Sequence, residues 1–134
     1  MTDCIFCSIL KKEIPSYKIY EDEYSYAFLD ISKDCYGHTL IIPKNHHKNL
    51  FEISDDHLSK VMLATKKIAS HFKSLGFSGV NIINNSGASA EQTVNHFHIH
   101  IIPRKEGDNL KIFPSLTPKN IDLEEVQKKL FLKS

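Results

Sequence analysis

Three histidines alternate with large apolar residues at residues 96–102, which read His-Phe-His-Ile-His-Ile-Ile. Successive side chains of a β-strand point to opposite faces, so a strand here places all three imidazoles on one face and the apolar side chains against a core. Near pH 7 an imidazole can serve as a nucleophile, an acid, a base or a metal ligand. Two simpler interpretations stay open: a half-buried strand with a histidine-rich polar face, and a short metal-binding tract.

The size and charge of the chain favour one soluble domain. Its 134 residues include 41% hydrophobic and 25% charged residues, which is ordinary for a globular protein. The net charge of +1 predicts neither a nucleic acid nor a membrane surface as partner. No apolar run approaches the roughly 18 residues of a spanning helix, and residues 1–4 lack the features of a signal peptide. We therefore expect a cytoplasmic protein with reduced cysteines.

The order of the expected elements predicts an α+β fold. Periodicity, caps and turn residues indicate five strands and three helices. The expected strands are residues 18–21, 24–31, 38–43, 80–84 and 96–103, and the expected helices are residues 7–12, 54–75 and 123–132. The long helix separates the first three strands from the last two. This order favours a five-stranded antiparallel meander sheet with the long helix packed on it, rather than a doubly wound parallel sheet.

Five upstream segments complete the pattern of the histidine run. They are residues 4–7 (Cys-Ile-Phe-Cys), 13–15 (Glu-Ile-Pro), 28–31 (Phe-Leu-Asp-Ile), 37–44 (Gly-His-Thr-Leu-Ile-Ile-Pro-Lys) and 92–94 (Gln-Thr-Val). In these features the chain resembles the histidine triad (HIT) family of nucleotide hydrolases and transferases, whose motif alternates three histidines with apolar residues. The resemblance covers about residues 3–106. It implies a single HIT-like domain over residues 1–134, in which residues 107–134 are a variable C-terminal tail.

The resemblance implies a catalytic role for three histidines. His98, the middle histidine of the run, would attack the α-phosphorus of a nucleotide and form a nucleotidyl-histidine intermediate that water resolves. His100 and His38 would line the same pocket. One of them would stabilise the phosphoryl oxygens or the leaving group, and their hydrogen bonds would fix the tautomer of His98. The expected activity is hydrolysis of purine nucleoside phosphoramidates or dinucleoside polyphosphates, with release of a nucleoside monophosphate.

The resemblance also implies a nucleotide-binding surface. Asp30 would bind the ribose hydroxyls, since a carboxylate is a suitable acceptor for a vicinal diol. Apolar residues from the N-terminal segment and the second strand would form the walls of a base pocket: Ile5, Phe6, Ile9, Phe28 and Ile31. The polar loop before the histidine run would hold the phosphate and the bridging oxygen through Asn85, Gln92 and Thr93. His98 and His100 complete the expected nucleotide contacts.

The pair Cys4 and Cys7 suggests a metal, although two closely spaced cysteines alone are a weak signal. Some HIT proteins with the same Cys-x-x-Cys spacing bind zinc, and the resemblance implies His46 and His96 as the other two ligands. A Cys2His2 set closes a tetrahedral zinc site, so the metal would be structural. His47 follows His46 directly and is an alternative ligand. No organic cofactor is expected.

The two hydrolase branches of the family both find support. Asn85 favours the Hint-like branch, which cleaves phosphoramidates, whereas Thr93 and residues 103–105 resemble the Fhit-like branch, which cleaves dinucleoside polyphosphates. The Trp-containing C-terminal segment of Hint proteins is absent, because the chain has no Trp. The transferase branch carries Gln at the position of His100, which argues against it. We therefore interpret the chain as a bacterial-type protein between the two hydrolase branches.

Two other function classes compete with the enzyme. One is a non-catalytic nucleotide-binding or regulatory protein, and the other is a zinc-binding module that would leave His98 and His100 without a task. The resemblance further implies a homodimer in which two sheets join edge to edge, an arrangement that would cover an exposed strand edge.

Overall fold

The computed structural model describes residues 3–113 and 116–134. The elements in chain order are helix α1 (Ile5–Leu10), strands β1 (Lys18–Glu21), β2 (Ser25–Leu29) and β3 (Thr39–Pro43), helix α2 (Asp55–Ser74), strands β4 (Gly79–Ile83) and β5 (Ile99–Arg104), and helix α3 (Leu123–Leu130). A 3-10 turn at Ala88–Ala90 lies between β4 and β5. No helix in these two ranges is both long enough and apolar enough to cross a membrane.

The sheet has five strands in the order β1-β2-β3-β5-β4, and each neighbouring pair is antiparallel. The predicted α+β fold with a five-stranded antiparallel sheet is therefore confirmed. The first three strands follow one another as a meander, and β5 then lies between β3 and β4. His100 faces Leu40 of β3 on one side and Ile83 of β4 on the other. The histidine-bearing strand is therefore an interior strand, paired along both edges at His100.

Each face of the sheet buries its own apolar cluster. Phe97, Ile99 and Ile101 pack with the buried side of α2, as the alternation predicted. On the other face Phe6 and Ile9 of α1 pack in a second cluster with Phe28, Leu40 and Ile42. The histidine side chains belong to this second face, since the ring of Phe6 contacts both His96 and His98. The alternation thus separates the chemistry from the α2 core.

Helix α2 begins where the sequence predicted. Ser54 caps it, with its hydroxyl oxygen accepting from the amide of His57 at 3.2 Å. Asp55 and Asp56 occupy the first turn, where the helix dipole stabilises negative charge. The buried stripe that holds the helix on the sheet is Val61, Ala64, Thr65, Ile68 and Phe72.

Several predicted boundaries were wrong. Strand β2 covers Ser25–Leu29 rather than residues 24–31, α1 ends at Leu10 rather than at residue 12, and α3 ends at Leu130 rather than at residue 132. Two further differences lie beside the histidines. Helix α1 starts at Ile5 rather than at residue 7, because the sulfur of Cys4 accepts from the amide of Cys7 and caps the helix earlier. The last strand starts at Ile99 rather than at residue 96. The ring of His98 donates a hydrogen bond to the carbonyl of His96, and the amide of Phe97 donates to the carbonyl of His47. These backbone groups are therefore not available for pairing with a neighbouring strand.

Gly37 is required by its backbone and by its neighbour. Its φ is +78°, and a Cβ built on it would lie 2.7 Å from Cγ of Pro103, a rigid ring. We expect Gly37→Ala to lower the free energy of unfolding by about 3 kcal/mol, because left-handed strain and overpacking act together. Urea denaturation at constant m-value measures this loss.

Gly76 provides the matched control for this substitution. Its φ is +103°, but a Cβ there meets nothing within 4 Å. Gly76→Ala should therefore cost only the backbone strain, about 1 kcal/mol. Equal losses for the two variants would show that Pro103 exerts no steric demand on Gly37.

Candidate active site and adjacent metal centre

Three histidines from two distant segments of the chain meet at one end of the sheet. His38 precedes β3, His100 lies in β5, and His98 lies two residues before it. Nε2 of His38 and Nδ1 of His100 are 2.9 Å apart, and the ring centroids of His98 and His100 are 5.1 Å apart. His38 and His98 are buried and His100 is partly buried. The structure thus brings the three predicted catalytic residues together.

The ring of His98 is fixed in one tautomer by the backbone. Its Nδ1 lies 2.7 Å from the carbonyl oxygen of His96. Because a carbonyl can only accept, Nδ1 carries the hydrogen and Nε2 carries the lone pair. Within the described part of the chain, no hydrogen bond engages Nε2. The expectation that His38 and His100 fix this tautomer was wrong, since the adjacent backbone does so.

Burial sets the charge of His98. The ring is 5% exposed and lies against the edge of Phe6, with centroids 5.1 Å apart. Burial lowers the pKa of His98, although its hydrogen bond to the backbone and the charge of Asp30 oppose this shift. The neutral ring is therefore favoured near pH 7, and a neutral imidazole is the nucleophilic form. Among the described residues, Ser25 Oγ is the single fully buried side-chain N or O atom that lacks a hydrogen-bond partner. Nε2 of His98 also lacks a partner within these residues but is not fully buried, so it keeps contact with solvent.

Asn84 holds the backbone of the site, and sequence reasoning missed it. Its Nδ2 donates to the carbonyl of His98 at 2.9 Å, and its Oδ1 accepts from the hydroxyl of Ser86 at 2.8 Å. The hydroxyl of Ser86 accepts in turn from the amide of Leu50. The signal in the sequence was an amide at the end of β4, beside the histidine strand. Asn85, the predicted phosphate contact, follows directly and is half-buried.

Two carboxylates flank His38. Oδ1 of Asp34 lies 2.7 Å from Nδ1 of His38, and Oδ2 of Asp30 lies 3.9 Å from its Nε2. The other oxygen of Asp30 accepts from the amide of Ser32 at 2.8 Å. Burial lowers the pKa of His100 to about 4, and its histidine neighbours add to this shift. Sequence reasoning identified Asp30 but missed Asp34.

The predicted base pocket divides into exposed and buried parts. Ile5 is 48% and Ile31 is 77% exposed, so both can meet a ligand. Phe6, Ile9 and Phe28 are buried, and the rings of Phe6 and Phe28 pack edge to face. The first two residues offer exposed apolar surface, whereas the other three belong to the buried cluster on this face of the sheet.

The loop before the histidines is closed by Gln92. Its Oε1 accepts from the amide of Gly87, and its Nε2 donates to the carbonyls of Lys48 and Val94. Both ends of this amide are therefore used within the chain, so Gln92 braces the loop rather than offering a donor to a phosphate. Thr93 is exposed and lines a groove of about 390 Å³ beside Ile5 and His46.

A second cluster lies next to the histidines. Its four ligand atoms, from Cys4, Cys7, His46 and His96, all lie within 4.8 Å of one another. Nδ1 of His96 is 3.4 Å from the sulfur of Cys4 and 3.6 Å from that of Cys7, and Nδ1 of His46 is 3.3 Å from the sulfur of Cys7. Two ligands of a tetrahedral zinc, one sulfur and one nitrogen, are separated by about 3.6 Å. The donor set and its spacing fit zinc.

The orientation of His96 completes this fit. Its Nε2 lies 3.0 Å from the carbonyl of Pro43, so Nε2 carries the hydrogen and Nδ1 presents a lone pair to the sulfurs. Burial lowers the pKa of His96 to about 4, which favours the neutral ring. His47, the alternative ligand, instead lies with its Nε2 3.0 Å from Nδ1 of His57. The structure therefore places His46 and not His47 in the cluster.

Comparison with known proteins decides the family. The HIT domain family model matches residues 11–107. The chain belongs to the HIT family. An uncharacterized HIT-like protein of Methanocaldococcus jannaschii is 48% identical over 127 residues, which cover 95% of this chain and 98% of the relative. These matches confirm the family that the histidine run and its upstream segments indicated.

Two further similar proteins have names that state an activity or a bound metal. An adenosine 5'-monophosphoramidase of Saccharomyces cerevisiae is 46% identical over 103 residues, covering 77% of this chain and 63% of that protein. A Zn-bound histidine triad family protein of Mycobacterium smegmatis has a crystal structure with a TM-score of 0.78 and 35% identity, covering 94% of this chain and 88% of that one. HIT proteins similar to this chain thus include a phosphoramidase and a zinc protein.

Proposed function

We propose that this HIT protein is a hydrolase that acts at the α-phosphorus of a purine nucleotide through a covalent intermediate on His98. The observation that carries the proposal is the lone pair on Nε2 of His98, which the bond from Nδ1 to the His96 carbonyl leaves available beside His100 and His38. The substrates are nucleoside phosphoramidates or dinucleoside polyphosphates. The similarity to a monophosphoramidase favours phosphoramidates, and so does the presence of Asn at position 85, as in the Hint-like branch.

In the first step, Nε2 of His98 attacks the α-phosphorus and the bond to the leaving group breaks. With a phosphoramidate, the departing amine keeps the electron pair of the P–N bond and takes up one proton from solvent. The imidazole then carries a positive charge with its hydrogen still on Nδ1. The His96 carbonyl, 2.7 Å away, stabilises that charge through the same hydrogen bond.

In the second step, water attacks the phosphorus of the nucleotidyl-histidine. The electron pair of the N–P bond returns to Nε2 of His98, and the water loses one proton as the nucleoside monophosphate leaves. His98 is thereby restored in its original tautomer. Dividing one displacement into two lets the same ring serve as nucleophile and as leaving group.

The remaining residues bind and orient the nucleotide. Oδ2 of Asp30, on the side of His38, would accept from the ribose hydroxyls. Ile5 and Ile31 would cover the base. His100 and His38 face the reacting phosphate as a linked pair, and Thr93 and Asn85 would contact its oxygens from the loop side.

We also propose that Cys4, Cys7, His46 and His96 hold a structural zinc ion. All four positions would be filled by protein, so the metal would supply folding free energy and take no part in the reaction. It would tie the N-terminal helix to the segment that precedes β5.

We further propose that the chain forms a homodimer through the free edge of β4, where Ile82 is exposed.

A substrate panel tests the hydrolase. Purified protein is mixed with adenosine phosphoramidate or diadenosine tetraphosphate, and AMP release is followed by chromatography. We expect multiple turnovers with both, with kcat/KM at least about tenfold higher for the phosphoramidate. AMP binding measured by calorimetry in the same samples identifies the competing class, because binding without turnover of either substrate would mean a non-catalytic nucleotide-binding protein.

A further inference from the structure

A carboxylate on the surface is connected to the candidate active site by two hydrogen bonds. Asp34 lies in the loop between β2 and β3, and its Oδ1 is 2.7 Å from Nδ1 of His38. Nε2 of His38 is in turn 2.9 Å from Nδ1 of His100. The ring of His100 neighbours that of His98, with centroids 5.1 Å apart. The contacts therefore run from Asp34 to the ring beside the nucleophile.

Asp34 determines where the hydrogens of this chain lie. An ionised carboxylate can only accept, so Nδ1 of His38 carries a hydrogen. In a neutral His38 the lone pair is then on Nε2, where it accepts from Nδ1 of His100. The lone pair of His100 is consequently on its Nε2. Without Asp34, the opposite arrangement becomes available, in which Nε2 of His38 donates to Nδ1 of His100 and the Nε2 of His100 carries a hydrogen.

The surroundings of Asp34 support its ionised state. Burial raises its pKa, but the hydrogen bond and the charge of His38 outweigh this, and the net shift of the pKa is downward. The same oxygen also accepts from the thiol of Cys35 at 3.5 Å. The titratable groups that face His38 are Asp34, Asp30 and His100. Of the two carboxylates, Asp34 is the one within hydrogen-bond distance.

We infer that Asp34 is a positioning residue for the reaction at His98, because its carboxylate fixes the tautomer of His38 and, through it, that of His100. The inference rests on the proposed function and adds to it a residue that never touches substrate. With its Nε2 as an acceptor, His100 can take the proton that the attacking water releases in the second step. Asp34 thus selects a base rather than an acid beside the nucleotidyl-histidine.

Three variants at this position separate positioning from loop stability. Asp34→Ala removes the acceptor. Asp34→Asn keeps an oxygen but adds an NH₂ group, which permits the other tautomer of His38. Asp34→Glu keeps the charge, and the 57% exposure of the Asp34 side chain leaves room for the longer chain. Glu52→Gln is the matched control, because it removes one negative charge from an exposed side chain outside the site.

Kinetics with adenosine phosphoramidate over pH 5–9 give the first readout. We expect Asp34→Ala and Asp34→Asn to lower kcat about tenfold with little change in KM, which is the size expected for a partly exposed hydrogen bond to a charged group. Asp34→Glu should recover most of kcat, and Glu52→Gln should match the wild type. The tautomer of His38 decides whether Nε2 of His100 can accept a proton. The acidic limb of the pH profile of kcat should therefore shift in Asp34→Ala and Asp34→Asn only.

Nitrogen NMR of the histidine rings gives a readout that does not depend on turnover. In wild type at pH 7.5 we expect His38 and His100 to carry their hydrogens on Nδ1, and in Asp34→Ala both should become tautomer mixtures. If no substrate is hydrolysed, this arm still tests the link from Asp34 to His100. Unchanged tautomers in Asp34→Ala overturn the inference, as does an equal loss of kcat in Asp34→Glu and Asp34→Ala.

Discussion

Replacing His98 with asparagine is expected to lower kcat for adenosine phosphoramidate by about 10⁴-fold or more, because the variant has no ring nitrogen to bond to phosphorus. Asparagine retains an amide hydrogen that can donate to the His96 carbonyl in place of Nδ1. The local backbone should therefore persist, and His98→Asn should still bind AMP. His98→Ala should lose activity equally, but it also leaves that carbonyl without its partner and should be less stable by about 2 kcal/mol.

Steady-state release of AMP measures this loss, and rapid mixing with mass spectrometry detects the intermediate. The wild-type chain should gain one nucleotidyl group within a single turnover, and His98→Asn should gain none. His71→Ala is the control, since His71 is an exposed histidine on α2, which packs on the other face of the sheet from His98. Turnover by His98→Asn near the wild-type rate would refute the covalent mechanism.

Loss of the metal site is expected to have the largest effect on stability. Protein purified without chelators should contain one zinc ion per chain. Replacing Cys4 with serine, or removing the metal with a chelator, should cost about 4 kcal/mol, since bound zinc stabilises only the folded chain. For a chain of this size, that loss lowers the melting temperature by roughly 15 °C.

Metal analysis and thermal melts with and without added zinc check this result. Cys35→Ser is the matched control, because Cys35 lies outside the four-residue cluster. Re-addition of zinc should restore the melting temperature of the chelated wild-type protein but not that of Cys4→Ser. If protein purified without chelators contains no metal, or if its melting temperature changes neither on chelation nor on addition of zinc, the zinc proposal is refuted.

The alternating histidines allowed part of the fold and part of the site to be predicted from the sequence. Their spacing alone predicts which side chains meet the α2 core, and Phe97, Ile99 and Ile101 do so. Local signals also located α2, because its cap at Ser54 and its apolar stripe lie within one continuous segment. What such signals predict depends only on neighbours a few residues apart.

Contacts between distant segments were beyond the reach of these signals. Asn84 and Asp34 are ordinary polar residues in the sequence, and their roles appear only when β4 or the β2–β3 loop lies beside the histidines. Gln92 had the right chemistry for a phosphate contact, yet loop closure uses both ends of its amide. His46 and His47 differ by one position, and only the path of the backbone after β3 determines which faces the cysteines.

The position of β5 affects which parts of the molecule can open locally. A strand paired on both sides exchanges its amide hydrogens only when the whole sheet opens, whereas edge strands and chain ends fray at little cost. His100 lies on such a strand, with β3 and β4 as neighbours. Transient opening of α3, which buries none of its side chains, or of β1 at the sheet edge leaves this strand in place. Helix α3 and strand β1 can therefore open transiently, and can vary in sequence, without moving the rings of His38, His98 and His100.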